Sequence, residues 1–334
     1  MKKILILSLG LVLLFSLSCS KSTKPTIQSG WELLYVGEDV DLLSVSFVDE
    51  NYGWVGARSY DWQFTLFHTT DGGNSWVKQK LPYSNSAIGL GKVFFIDRNN
   101  GWVVGSVGII AHTTDGGKSW SLKERVVSHA FHELQFVDIN HGSIYGGGYF
   151  LRTTDGGENW SLSTGVGGFH FFDSLNGFAD IGIEYGKSDI VQTSDGGVTW
   201  NKVADRPANT GGIAYVDFEK WWGLVYISQP FTDSLFSWIV HTTDAGKNWT
   251  PQTEVFRAWL DNLIMIDEHY GWVGKGLNSI LHTSNGGETW IEQLTPVLKG
   301  YIFDTFFLDR EHGWAVAEHG QILRTKNGGN TITK

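Results

Sequence analysis

One eight-residue string constrains this 334-residue chain more than any other feature, because it occurs seven times. The copies are TTDGGNSW (69–76), TTDGGKSW (113–120), TTDGGENW (153–160), TSDGGVTW (193–200), TTDAGKNW (242–249), TSNGGETW (283–290) and TKNGGNTI (325–332). Their third positions are Asp71, Asp115, Asp155, Asp195, Asp244, Asn285 and Asn327, so the steps between copies are 44, 40, 40, 49, 41 and 42 residues. A near-constant period of this length marks a fold built by repeating one supersecondary unit, each unit burying its apolar face against the next.

A second motif runs in register upstream of each copy. It is an apolar stretch ending in Asp, then a turn, then Gly-Trp: SFVDENYGW, FFIDRNNGW, QFVDINHGS, HFFDSLNGF, AYVDFEKWW, IMIDEHYGW and FFLDREHGW. Each repeat therefore reads as four short strands, which in about 40 residues is one propeller blade. The expected fold is all-β, a seven-bladed β-propeller. Its last copy ends at Lys334 with no room for a fourth strand, whereas Gly30-Trp31-Glu-Leu-Leu-Tyr35 resembles the strand that follows the other copies. An N-terminal strand completing the last blade would close the ring and cover exposed sheet edges.

The Asp-Gly-Gly turn explains its own composition. Asp or Asn accepts hydrogen bonds from backbone N–H groups a few residues on, Gly supplies positive φ, and the following Trp packs over the hairpin. None of the seven carries the alternating carboxylates of a calcium loop, so these residues are assigned to structure and no metal is expected. His68, His112, His241 and His282 precede the turns at one repeated position, which makes them blade features. Gly117-Lys118-Ser119 and Gly186-Lys187-Ser188 lack the earlier glycine of a phosphate-binding loop, and Tyr145 to Tyr149 reads as a permissive hairpin turn. No hydrolase signature appears; no cofactor and no catalytic residue are assigned.

The chain opens with Met1-Lys2-Lys3 and the apolar run Ile4 to Leu17, too short at ~1.5 Å per residue to span a bilayer core of about 30 Å. It reads as a signal peptide, residues 1–18, followed directly by the only cysteine, Cys19. Residues 19–29 read as a polar tether and 30–334 as the propeller. Without Lys2 and Lys3 the formal charge goes from −10 to −12, which argues against nucleic acid as a partner.

The string FFIDRNNGWVVGSVGIIAHTTDGGKSW (94–120) is similar to the repeat of the photosystem II stability/assembly factor-like family, and its TxDGGxxW part is the Asp-box of the wider BNR-repeat group. The resemblance extends over 31–334 and implies a seven-bladed propeller. The leader resembles a bacterial lipoprotein signal, which implies a diacylated Cys19 and a lipid-anchored protein in the cell envelope, periplasmic or on the outer surface. Leu17 stands one place closer to the cysteine than that pattern prefers. The resemblance further implies a non-catalytic binding or assembly scaffold for membrane or envelope proteins. The alternative is a glycan-binding or glycoside hydrolase propeller, sialidase-like or xyloglucanase-like. Against it stand the missing early Arg-Ile-Pro-type motif and the single propeller. Ser143, Phe178, Trp221, Ala245 and Ile332 depart from the repeat.

Strand order puts the second-to-third-strand loops and the blade-to-blade connections on one face. There the period breaks, and variable loops on a rigid scaffold are where function sits. Of the 16 tryptophans, twelve belong to the repeat, Trp221 fills a Gly position, and Trp62, Trp238 and Trp259 fall in irregular segments. Arg and aromatic residues are enriched in binding hot spots, so Arg58, Trp62, Arg206, Phe231, Trp238, Arg257 and Trp259 form the candidate partner-binding set. The expected partner is a protein, with a glycan as the alternative ligand; a monomer attached to the membrane through its lipid is expected.

Overall fold

The computed structural model describes residues 27–333 apart from 59–63, 82–89, 124, 185–186, 229–234, 254–255, 257 and 277–278. The signal segment, Cys19, Trp62, Phe231 and Arg257 thus lie outside the described residues.

The described strands form seven four-stranded antiparallel sheets. In blade 1 the order from the axis outward is Asp41–Phe47, Gly53–Arg58, Phe64–Thr69 and Val77–Gln79. The inner strands of blades 2 to 7 are Leu90–Phe95, Glu133–Phe136, Val166–Phe171, Thr210–Tyr215, Leu260–Met265 and Ile302–Phe307. The seven-bladed all-β expectation is borne out, and so is the closure. Strand Ile27–Tyr35 runs antiparallel to Gln321–Thr333 as the outer strand of blade 7, with Trp31 opposite Thr325. Gly30 lies opposite Gly329 at an irregularity in that pairing. A β-carbon there would sit 2.2 Å from the Asn330 carbonyl oxygen, so the approach requires glycine.

The apolar core is divided among the seams between blades. Trp54 and Leu66 of blade 1 pack with Val93, Phe95, Val103 and Ala111 of blade 2, and each of the other seams holds an equivalent cluster. Trp54, Trp102, Trp222, Trp272 and Trp314 are fully buried. Each stacks on the ring that ends an inner strand or on the histidine beside it: Trp54 lies 3.5 Å from Phe95 and 4.7 Å from His68, centroid to centroid. His112, His241 and His282 stack on Trp102, Trp222 and Trp272 in the same manner. Burial holds all four below the ordinary histidine pKa. They are neutral packing rings.

Candidate functional site

The Asp-boxes are built alike. In the second, Thr113 Oγ1 donates to Asp115 Oδ1 (2.8 Å) and accepts the N–H of Gly117 (2.9 Å). Asp115 Oδ1 accepts the Ser119 N–H at 2.9 Å and Oδ2 accepts the Ser119 hydroxyl. The Ser119 hydroxyl and N–H hold the Asp115 carboxyl down to about 2. Asp71, Asp155, Asp195 and Asp244 repeat this arrangement. Asn285 and Asn327 accept the same threonine hydroxyl at 3.0 Å.

Buried tryptophans then link five of the boxes to the blade before each. Trp54 Nε1 donates to the Gly116 carbonyl, Trp102 to Gly156, Trp222 to Gly286, Trp272 to Gly328 and Trp314 to Gly72. Where Ser143 replaces the tryptophan, Arg152 donates to the Gly196 carbonyl instead and Phe150 fills the seam. Trp31 stands in for the box tryptophan at Ile332 and donates to Gln293, which in turn donates to the Gly328 carbonyl. The acid or amide of every box is thus hydrogen-bonded within the scaffold.

On the loop face, Trp259 lies in the connection from blade 5 to blade 6 and is 51% exposed. Its ring stacks on Tyr226 at 5.0 Å, and the Tyr226 hydroxyl is fixed by the Leu260 carbonyl at 2.6 Å. The Gly276 N–H donates to the Trp259 carbonyl (2.7 Å), tying this connection to the loop of the next blade. Trp259 borders a groove of about 300 Å³ together with Asn262, Gly276, Tyr301 and Phe303. Tyr301 is 55% exposed, and Ile227 and Val297 are exposed too. Trp238 is half-buried in the third strand of blade 5, Leu235–Thr242. Arg58 pairs with Asp41 at 3.0 Å in blade 1. The described members of the candidate set are therefore distributed, and among them Trp259 presents a large apolar surface at a groove.

Arg206 goes elsewhere. It pairs with Asp180 and donates to the Gly211 carbonyl, facing a cavity of about 540 Å³ on the axis, to which inner strands of all seven blades contribute. Three residues before the Phe, Tyr or Met that ends each inner strand stand Ser44, Lys92, Glu133, Gly168, Gly212, Asn262 and Asp304. At several blades this side chain accepts a backbone N–H from the next inner strand: Ser44 from Val93 (3.1 Å), Glu133 from Phe169 (3.3 Å) and Asp304 from Val45 (3.0 Å). Blades 4 and 5 have only glycine there, and the space left is bordered by Glu133, Asp180 and Arg206. Burial pushes Glu133 up to about 7 and Asp180 up to about 6, the latter against the pull of Arg206. Glu133 and Asp180 were not singled out from the sequence. Counting back three residues from each Phe, Tyr or Met of the second motif would have found the ring of channel positions.

Comparison with known proteins bears out the family resemblance. A sequence model of the family described as photosynthesis system II assembly factor YCF48 matches residues 23–127. Over 89 residues, 24% of this chain, the protein is 33% identical to "Photosystem II assembly lipoprotein Ycf48" of the organism Prochlorococcus marinus; that stretch spans a quarter of the relative's length. The solved structure titled "YCF48 bound to D1 peptide" superposes with a TM-score of 0.69 over 89% of this chain and 96% of that one, at 21% identity. An ancestral GH74 enzyme shares the architecture at a TM-score of 0.67 and 13% identity, over 91% of this chain and 47% of that one. At these identities the structural likenesses concern the fold.

Proposed function

We propose that this protein is a lipid-anchored, non-catalytic scaffold of the bacterial cell envelope that holds a segment of a membrane-protein partner during assembly. In this reading residues 1–18 are removed, Cys19 carries the lipid, 19–29 form a tether, and the propeller of 30–334 presents its loop face to the partner. The relative named as an assembly lipoprotein and the YCF48 structure with a bound peptide support the class of function. The observation that carries it here is the half-exposed Trp259 at the edge of the groove shared with Tyr301. A rigid aromatic stacked on Tyr226 loses little conformational entropy when a partner covers it. Trp238, Arg58 and the loop residues Trp62, Phe231 and Arg257 extend the proposed surface, and Arg206 lies toward the axis.

The test is capture of partners by the tagged lipoprotein from its own membranes, beside a Trp238→Ala/Trp259→Ala double variant. Recovery of a membrane protein by the wild type, reduced at least tenfold in a variant that melts at the same temperature, is the expected result. Equal recovery by both would remove the loop face from the reading. Hydrolysis of a β-glucan by the purified chain would move it to the glycosidase class.

A further inference from the structure

The axial cavity has chemistry that the scaffold reading does not use. Its charged lining consists of Lys92, Glu133, Asp180 and Arg206, with Asp304 held to Lys92 at 2.6 Å. Two of the three carboxylates thus have cationic partners, since Asp180 is paired with Arg206. Glu133 is held by one long contact among the described residues, from the Phe169 N–H at 3.3 Å. Asp180 Oδ1 is buried without a partner. With all ionised, three carboxylates and two cations leave one negative charge at the cavity wall, which is relieved either by a proton on Glu133 or by a cation sharing the space. The remaining wall is apolar, with Phe94, Ile213, Leu263 and Phe306 facing the cavity. Gly168 is open toward the acids: a β-carbon there would lie 3.3 Å and 3.5 Å from the Glu133 oxygens and 3.6 Å from Asp180 Oδ2.

We propose that this cavity binds an organic monocation, an ammonium or guanidinium group on a short aliphatic stem, with Glu133 and Asp180 receiving the charge and Phe94, Leu263 and Phe306 packing the stem. The same chemistry is presented by a free small amine or by a lysine or arginine side chain of a partner. The volume, about 540 Å³, is that of a small-molecule pocket, far above the need of a bare metal ion and ample for a cation with its stem.

Titration gives the site a pH signature. Glu133 is raised to about 7 by burial and by Asp180, and Lys92 and Arg206 act the other way. Tyr145, opposite Glu133 in the neighbouring strand, and the buried Tyr215 are pushed up and stay neutral; burial holds His170 down to about 4 and His132 below the ordinary histidine value, so both are neutral as well. Below pH 7 the free site holds a proton that a bound cation must displace, so binding weakens as pH falls and releases a proton.

The test is calorimetric titration of the full chain in detergent with n-butylguanidinium, n-butylammonium, and capped five-residue peptides carrying one Arg or one Lys between glycines. Saturable binding at millimolar concentration is expected, about tenfold tighter at pH 8 than at pH 6. Glu133→Gln should lose most of that pH dependence, keeping only the smaller part that Asp180 contributes near pH 6, and weaken binding at pH 8 at least tenfold. It should also keep the fold, because Gln135 already accepts the Phe171 N–H at 2.9 Å in the same strand. Gly168→Ala, which fills the space beside both acids, should weaken binding independently. Tighter binding of the free cations points to a small molecule, and tighter binding of the peptides to a partner's side chain. Absence of saturable binding by every probe at 10 mM and pH 8, or unchanged binding by Glu133→Gln, would overturn the proposal. The Trp238→Ala/Trp259→Ala variant should titrate like wild type, which separates this site from the loop-face reading.

Discussion

At the scale of single residues, the threonine that opens each Asp-box has a larger structural role than the acid that gives the box its name. Thr113 is buried, and its hydroxyl both donates to Asp115 and accepts the buried Gly117 N–H. Asp115 has its oxygens at the surface, where Asn285 and Asn327 make corresponding contacts without charge. Removing the hydroxyl while keeping the shape leaves an N–H unsatisfied in a dry hairpin, which costs about 1–3 kcal/mol. Urea denaturation of Thr113→Val should therefore show a loss in that range, against a change within about 0.5 kcal/mol for Asp115→Asn. Equal effects of the two substitutions would mean that the carboxylate charge, and not the hydroxyl bridge, holds the turn.

At the scale of strands, the spacing between the inner strand's Phe and the Gly-Trp pair is a contact requirement. A β-carbon at Gly53, Gly101, Gly142 or Gly313 would lie within 2.4 Å of the ring of Phe47, Phe95, Phe136 or Phe307, which covers the glycine from the adjacent strand. Overpacking of such a site costs about 1–3 kcal/mol, so Gly101→Ala should lower the unfolding free energy from urea denaturation by that amount. Gly212→Ala, whose β-carbon would meet nothing within 4 Å, should leave it within about 0.5 kcal/mol. The repeat showed these glycines in the sequence as a pattern, together with the blade number and the face on which the loops gather. It did not show the axial site, because periodicity aligns equivalent positions, whereas Glu133, Asp180 and Arg206 come from an inner strand, a second strand and a connection of different blades. Arg206 illustrates the difference. As Arg-Pro in a connection it reads as an exposed anchor, and only the folded ring brings the Asp180 carboxylate to it. Trp259 was legible because its place outside the repeat is also its place outside the seams.

For the whole molecule, the ring is held shut by one strand that joins the ends of the chain. Trp31 and Leu33 of Ile27–Tyr35 enter the seam between blades 6 and 7, and Leu34 packs into the seam between blades 7 and 1. Ser29 bonds the Leu294 carbonyl at 2.6 Å, and the buried Arg324 reaches Glu32 at 2.6 Å and the Gly72 carbonyl at 2.8 Å. The strand thus fixes blade 7 to both neighbours, and without it the long strand Gln321–Thr333 becomes a bare edge. Truncating a buried tryptophan alone costs about 3–5 kcal/mol, a large part of the roughly 5–15 kcal/mol that keeps a domain folded. Deleting 25–36 should therefore abolish the single cooperative melting transition or produce oligomers through the exposed edge, read by calorimetry and light scattering. A synthetic peptide of 27–36 added in trans should restore the transition in a concentration-dependent manner, since it binds the folded ring and not the unfolded chain. A truncated chain that stayed monomeric with an unchanged melting temperature would show that the seam tryptophans alone close the ring.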